Sequence, residues 1–353
     1  MESQTVGLSL ENLVYPKEKT YYKIILTVAV IIWIAVVASC FGIVVVGLLA
    51  LVSWFTHGLL VARLRSESVC ITPQQYPELH ATFTEVCQRL QLAVVPELYL
   101  LQSGGVLNAF ATKHAGRNFV VLYSSFVEIL GASSPLMKFL MGHEIGHIQR
   151  KHLFKTMYLT PGMVLPLVGE AYHRACEATC DRYGAYAADD LNSSMLALTV
   201  LASGREASNI DTRQFAEQHF TTRGFFVSWH ELLVSYPTLS QRVANILGLQ
   251  EPQFARHSGR HWAAYPCAVL FSAKSILFIY IAVVALSILI ALGDQVKKSD
   301  ASAADQTQDQ TQQQSQTAPA APPDQTPPPP QQDQTTPPPP SPSTPPPAPA
   351  SGQ

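Results

Sequence analysis

Charge is the scarcest property of this chain. Only 14% of its 353 residues are Asp, Glu, Lys or Arg, against about 25% in an ordinary soluble domain. The shortage is concentrated in two places: residues 24–62 carry no charged side chain, and from Ser299 onward there is no Lys or Arg. A basic excess is also missing. The net charge is -2, and setting aside the five aspartates of the last 55 residues leaves only +3 on the rest. So mild a charge excludes the electrostatic footprint of a nucleic-acid binder. The 6 cysteines, at 40, 70, 87, 176, 180 and 267, lack the dense spacing of a disulfide scaffold. A reducing compartment is therefore expected. Proline is sparse outside the tail, since 16 of the 26 lie between Pro319 and Pro349. The tail, 299–353, has too little apolar surface for a core; it is expected to be extended or disordered, with a docking partner as its conceivable use.

The uncharged run is too long for one crossing. A single helix of about 40 residues would reach ~60 Å, against a hydrocarbon core of ~30 Å. A hairpin of two spans over residues 21–62 fits, turning where Ala38, Ser39 and Gly42 interrupt the Val/Ile/Leu run. A third apolar stretch, 275–292, predicts another span. Lys17, Lys19 and Lys23 precede the hairpin, and Arg63 and Arg65 follow it. The positive-inside rule then places both hairpin ends in the cytoplasm. The expectation is a multi-pass protein of the cell's inner (plasma) membrane, in contact with the bilayer. Residues 1–20 and a body at 66–265 would be cytoplasmic, and the tail would lie outside.

The body mixes helical and strand periodicities. Residues 77–92 carry apolar side chains at helical spacing, while Glu97–Leu101, 106–111 and 119–123 read as short strands separated by glycines. Ser134 followed by Pro135 is a helix-start signal, predicting one long helix over 134–158 and another over 170–191. The fold class is α+β, mainly helical with a small sheet.

Within the first of these helices stands His143-Glu144-Ile145-Gly146-His147. An i, i+4 pair puts both imidazoles on one helix face, able to grip one metal ion, with a carboxylate beside it to accept a proton from an activated water. Catalytic zinc needs a third protein ligand, and the next helix offers Glu177. Asp181, one turn further on, is suited to accept the other ring N–H of a ligand histidine.

These residues resemble those of the HtpX-type membrane zinc metallopeptidases, a gluzincin family that includes the CAAX prenyl proteases. The resemblance spans roughly residues 66–250 and implies a zincin-like metallopeptidase domain with one Zn2+ per chain. It makes His143, His147 and Glu177 the ligands, Glu144 the catalytic base and Asp181 a second layer of support. Asn108, Ala109 and Phe110 match a strand that the family uses to hold extended substrate. The family also carries a His-Pro segment followed by Arg; here Tyr236-Pro237 leads to Arg242. Tyr236 is accordingly expected to replace the histidine as a catalytic hydrogen-bond donor, with Arg242 holding nearby carboxylates. By resemblance the substrates are misfolded or membrane proteins, and the role is protein quality control. The competing reading is a non-catalytic membrane scaffold with a structural metal site and a partner-binding tail.

Overall fold

The computed structural model describes residues 8–102, 104–255 and 259–316. Helix α1 (Pro16–Ala38) opens on a proline, whose fixed φ suits a first helical turn. Only Ser39 separates it from α2 (Cys40–Glu67), and the Ser39 hydroxyl accepts the Gly42 N–H at 3.2 Å. The turn thus falls where small residues break the apolar run. Helix α1, residues Gly42–Glu67 of α2, and Lys274–Ser299 are each long and apolar enough to cross a membrane.

Strand β1 (Val69–Cys70) and helix α3 (Pro77–Arg89) lead into β2 (Glu97–Leu101), β3 (Ala109–His114) and β4 (Arg117–Tyr123). The sheet order is β1-β2-β4-β3, with β2 parallel to β4 and β3 antiparallel to it. This leaves β3 as an edge strand. It begins three residues later than expected, because Gly104 and Gly105 both adopt positive φ (58° and 93°) and hold the preceding segment out of the sheet. Asn108 therefore stands just ahead of the strand, its carbonyl accepting the Tyr123 N–H at 3.1 Å.

After α4 (Ser124–Leu130) comes α5 (Pro135–Gln149), capped by the Ser134 hydroxyl, which accepts the Met137 N–H at 3.1 Å. The expected single helix over 134–158 is in fact two. Lys151 takes a left-handed conformation (φ 56°), and α6 (His152–Leu159) restarts in a new direction. The break is tertiary in origin: it turns Arg150 and His152 back onto Glu18 of α1. A tight turn over Thr160–Val164 precedes α7 (Val168–Ala188), and α8 (Leu191–Ser203) and α9 (Thr212–Thr221) follow with Asp190 and Asp211 as caps. Helices α10 (Phe225–Leu233), α11 (Leu239–Leu247), α12 (Ala264–Phe271) and α13 (Ala273–Gln316) complete the described chain.

The core is double. Leu79, Phe83 and Val86 of α3 and Val120 and Leu122 of β4 pack with Met137, Met141 and Ile145 of α5. On the other side, Leu191 and Leu198 of α8 pack with Val243, Ile246 and Leu247 of α11. Helices α5 and α7 lie between the two.

The chain divides into two units, one up to Ser287 and one from Ile288. The second consists, among the described residues, of the continuation of α13. That helix runs to Gln316, past the tail boundary expected at residue 299, because no proline interrupts it before Pro319 and its Ala and Gln residues tolerate helix. The proline-rich stretch from Pro319 lies outside the described residues.

Candidate metal centre

The site exists because α5 and α7 approach unusually closely. A Cβ on Gly142 would lie 2.5 Å from the Ala187 Cβ and 3.0 Å from the Tyr183 carbonyl; one on Gly146 would lie 3.1 Å from the Tyr183 Cβ. Glycine in a helix interior costs about 1 kcal/mol against alanine, so its use at i, i+4 marks where the α7 backbone presses on α5. His143 and His147, each one residue beyond a glycine, are thereby carried up against Glu177 and Asp181.

His143 Nε2 is 3.4 Å from Glu177 Oε2, and His147 Nε2 is 3.5 Å from Glu177 Oε1. Ligands held tetrahedrally at zinc bond lengths sit about 3.3 Å apart; each histidine stands at about that distance from a Glu177 oxygen, and ligand atoms of all three side chains lie within 4.8 Å of one another, close enough to hold one metal ion. His143 and Glu177 are buried, while the His147 side chain keeps 22% of its exposure. Behind His143, Asp181 Oδ1 lies 2.9 Å from Nδ1, which directs Nε2 toward the centre. Arg242, on the first turn of α11, donates Nε to Asp181 Oδ2 at 2.9 Å and Nη2 to Oδ1 at 2.6 Å. Its Nη2 is also 3.9 Å from Glu177.

Glu144, Glu177 and Asp181 are buried together with one guanidinium. With neutral imidazoles, their balance lacks two positive charges, which a divalent cation supplies. The protonation equilibria express the same imbalance. Burial raises the Glu144 carboxyl to about 7, opposed by the positive character of His143 and a hydrogen bond from the Ala111 backbone. Burial works against charge on His143, but its hydrogen bonds to Asp181 and Glu177 win and raise it to about 10. His147, with less carboxylate compensation, is lowered by burial to about 3.

A model of peptidase family M48 matches residues 73–250, half of the chain. The chain belongs to peptidase family M48. No curated protein matches it. As an M48 member it is a metallopeptidase, and its domain accounts for the mainly helical fold with a small mixed sheet.

The M48 centre opens into a cavity of about 320 Å³, lined among others by Asn108, Ala109, Phe110, Ala111, Glu144 and Tyr236. Asn108, Ala109 and Phe110 thus share one space with Glu144 and Glu177. Tyr236 is 65% exposed at this cavity, so it does not serve as core packing. Its phenol is raised first by the charge of Glu177, then by burial, then by Glu144. Cys176 and Cys180, neighbours of Glu177 on α7, are buried free thiols, with Cys180 held well above the thiol range by burial. Glu231, beside His230 in a partial second copy of the histidine motif, is buried and paired with Arg260 at 3.0 Å. One group went unnoticed in the sequence: His152, five residues past His147, meets it at 3.2 Å between the two Nδ1 atoms.

Proposed function

We propose that this metallopeptidase is a zinc-dependent endopeptidase of the inner membrane, its catalytic domain facing the cytoplasm, acting on unfolded or membrane proteins in quality control. The observation that carries the reading is the convergence of His143, His147 and Glu177, each histidine at about a tetrahedral-edge distance from Glu177, with Glu144 buried beside them in a cavity bordered by an edge strand. Three helices of spanning length support anchorage. The flanking Lys17, Lys19, Lys23, Arg63 and Arg65 support the orientation.

His143, His147 and Glu177 would hold the zinc, which would supply Lewis acidity to the scissile carbonyl and to a water. Glu144 receives the proton of that water and returns it to the leaving amine. Asp181 and Arg242 hold His143 and Glu177 in place. Tyr236 donates its hydroxyl to the oxygen on which negative charge develops. Residues 108–110 and the free edge of β3 bind substrate as an added strand, a mode that reads backbone rather than side chains and suits unfolded chains.

The test is proteolysis of casein by the purified full-length protein, with and without a chelator, alongside elemental analysis. One zinc per chain and activity lost to the chelator and restored by zinc are expected. Absence of hydrolysis in the zinc-loaded protein would leave the scaffold reading in its place.

A further inference from the structure

Helix α1 is apolar over most of its length, yet its first turn carries Glu18, whose side chain is 2% exposed. A buried carboxylate is costly unless each oxygen is partnered. Glu18 Oε2 accepts the Thr179 hydroxyl at 2.5 Å, and Oε1 accepts Arg150 Nη2 at 2.9 Å. The same Oε1 lies 3.4 Å from His152 Nε2. His152 is itself buried, and its other nitrogen, Nδ1, is the one that meets His147 Nδ1 at 3.2 Å.

With a metal held at Nε2, His147 carries its ring proton on Nδ1, where it can donate to His152 Nδ1. The opposite nitrogen of His152, Nε2, then donates to Glu18. A histidine that binds metal through one nitrogen has its tautomer and ring angle set by the acceptor at the other. His143 has Asp181 for this purpose. Among the described residues, His147 meets no carboxylate at Nδ1; it has His152, backed by Glu18. The geometry points to Glu18 as a positioning residue of the metal centre, acting through His152 to fix the His147 ring, so that the anchor helix α1 helps to set metal affinity.

The same atoms include two other groupings with metal-ligand spacing, Glu18-His152-Cys176 and His147-His152-Cys180. A second cation fits poorly at the first, because Arg150 at 2.9 Å and Lys155 at 3.9 Å already crowd the Glu18 oxygen, and the second shares His147 with the proposed zinc. Thr179 closes the arrangement: its hydroxyl also accepts the Tyr15 N–H at 3.0 Å, tying the start of α1 to α7 between Glu177 and Asp181.

This inference rests on the zinc site proposed above, and its test separates the two. Full-length protein in detergent is stripped of metal and titrated with zinc against a competing chelator. The metal-free unfolding temperature and the visible spectrum of the cobalt(II) form are recorded in parallel. Wild type should bind one zinc, and failure to do so sinks the zinc site itself. Glu18→Ala and His152→Ala should each weaken zinc binding about 10- to 100-fold, with Glu18→Gln intermediate and Glu18→Asp partly restored. In the double variant the losses should not add, because the two residues act in series, and the cobalt spectrum should change alike in each. A purely structural Glu18 would lower the metal-free unfolding temperature and leave zinc affinity and the cobalt spectrum as in wild type. That result overturns the inference, as does a second zinc lost on Glu18→Ala. Should Glu18→Ala not fold, the isosteric Glu18→Gln carries the same comparison.

Discussion

Glu144 supplies no ligand atom to the proposed zinc, yet it is buried in the cavity of His143, His147 and Glu177. Glu144→Gln should abolish hydrolysis while one zinc per chain remains, and Glu177→Ala should lose both, checked by elemental analysis beside the protease assay. Retained turnover in the first variant, or full zinc content in the second, contradicts the assigned roles. Because burial lifts the Glu144 carboxyl to about 7, its basic form accumulates as pH rises. A bound cation opposes that lift, so kcat/KM should climb along an acid limb at or below pH about 7. An acid limb well above that value would assign the base elsewhere. At Tyr236 the exposed side chain, lining the same cavity as Glu177, suits a donor better than a packing role. Tyr236→Phe should lower kcat roughly 10²-fold with KM little changed; wild-type kcat in this variant discards the donor.

Helices α5 and α7 form the element on which the site depends, and their approach tolerates no added carbon at Gly142. Gly142→Ala would gain helix propensity but must push Ala187 and the Tyr183 backbone away. Overpacking of this kind typically costs about 1–3 kcal/mol, read by thermal unfolding of the metal-free protein. A neutral or stabilising result would mean that the helices are less tightly apposed than the structure has them. The α5–α6 break teaches the complementary lesson. Periodicity continues through Arg150 and Lys151, so local sequence reads as one helix. Yet burial of Arg150 and His152 against Glu18, at sequence separations of 132 and 134, outweighs one strained residue at Lys151.

For the molecule as a whole, the proposed topology rests on the distribution of Lys and Arg. A reporter fused after Arg65 should read cytoplasmic and one after Lys298 external; the reverse pattern inverts the topology. Length and the lack of charge between residues 24 and 62 were enough to imply two spans and a turn near Ser39, because bilayer thickness is a fixed ruler. The i, i+4 spacing of His143 and His147 likewise needed only helix geometry to place two ligands on one face, and Glu177 followed from the need for a third. What the tertiary structure alone decided are the partnerships across distance. Arg242 reaches Asp181 from 61 residues away, and Glu18 reaches His152 from a helix read only as an anchor. Such pairs leave no periodic trace in the chain: each side chain has an ordinary local reading as a solvated charge, and only burial of both in one place obliges them to meet.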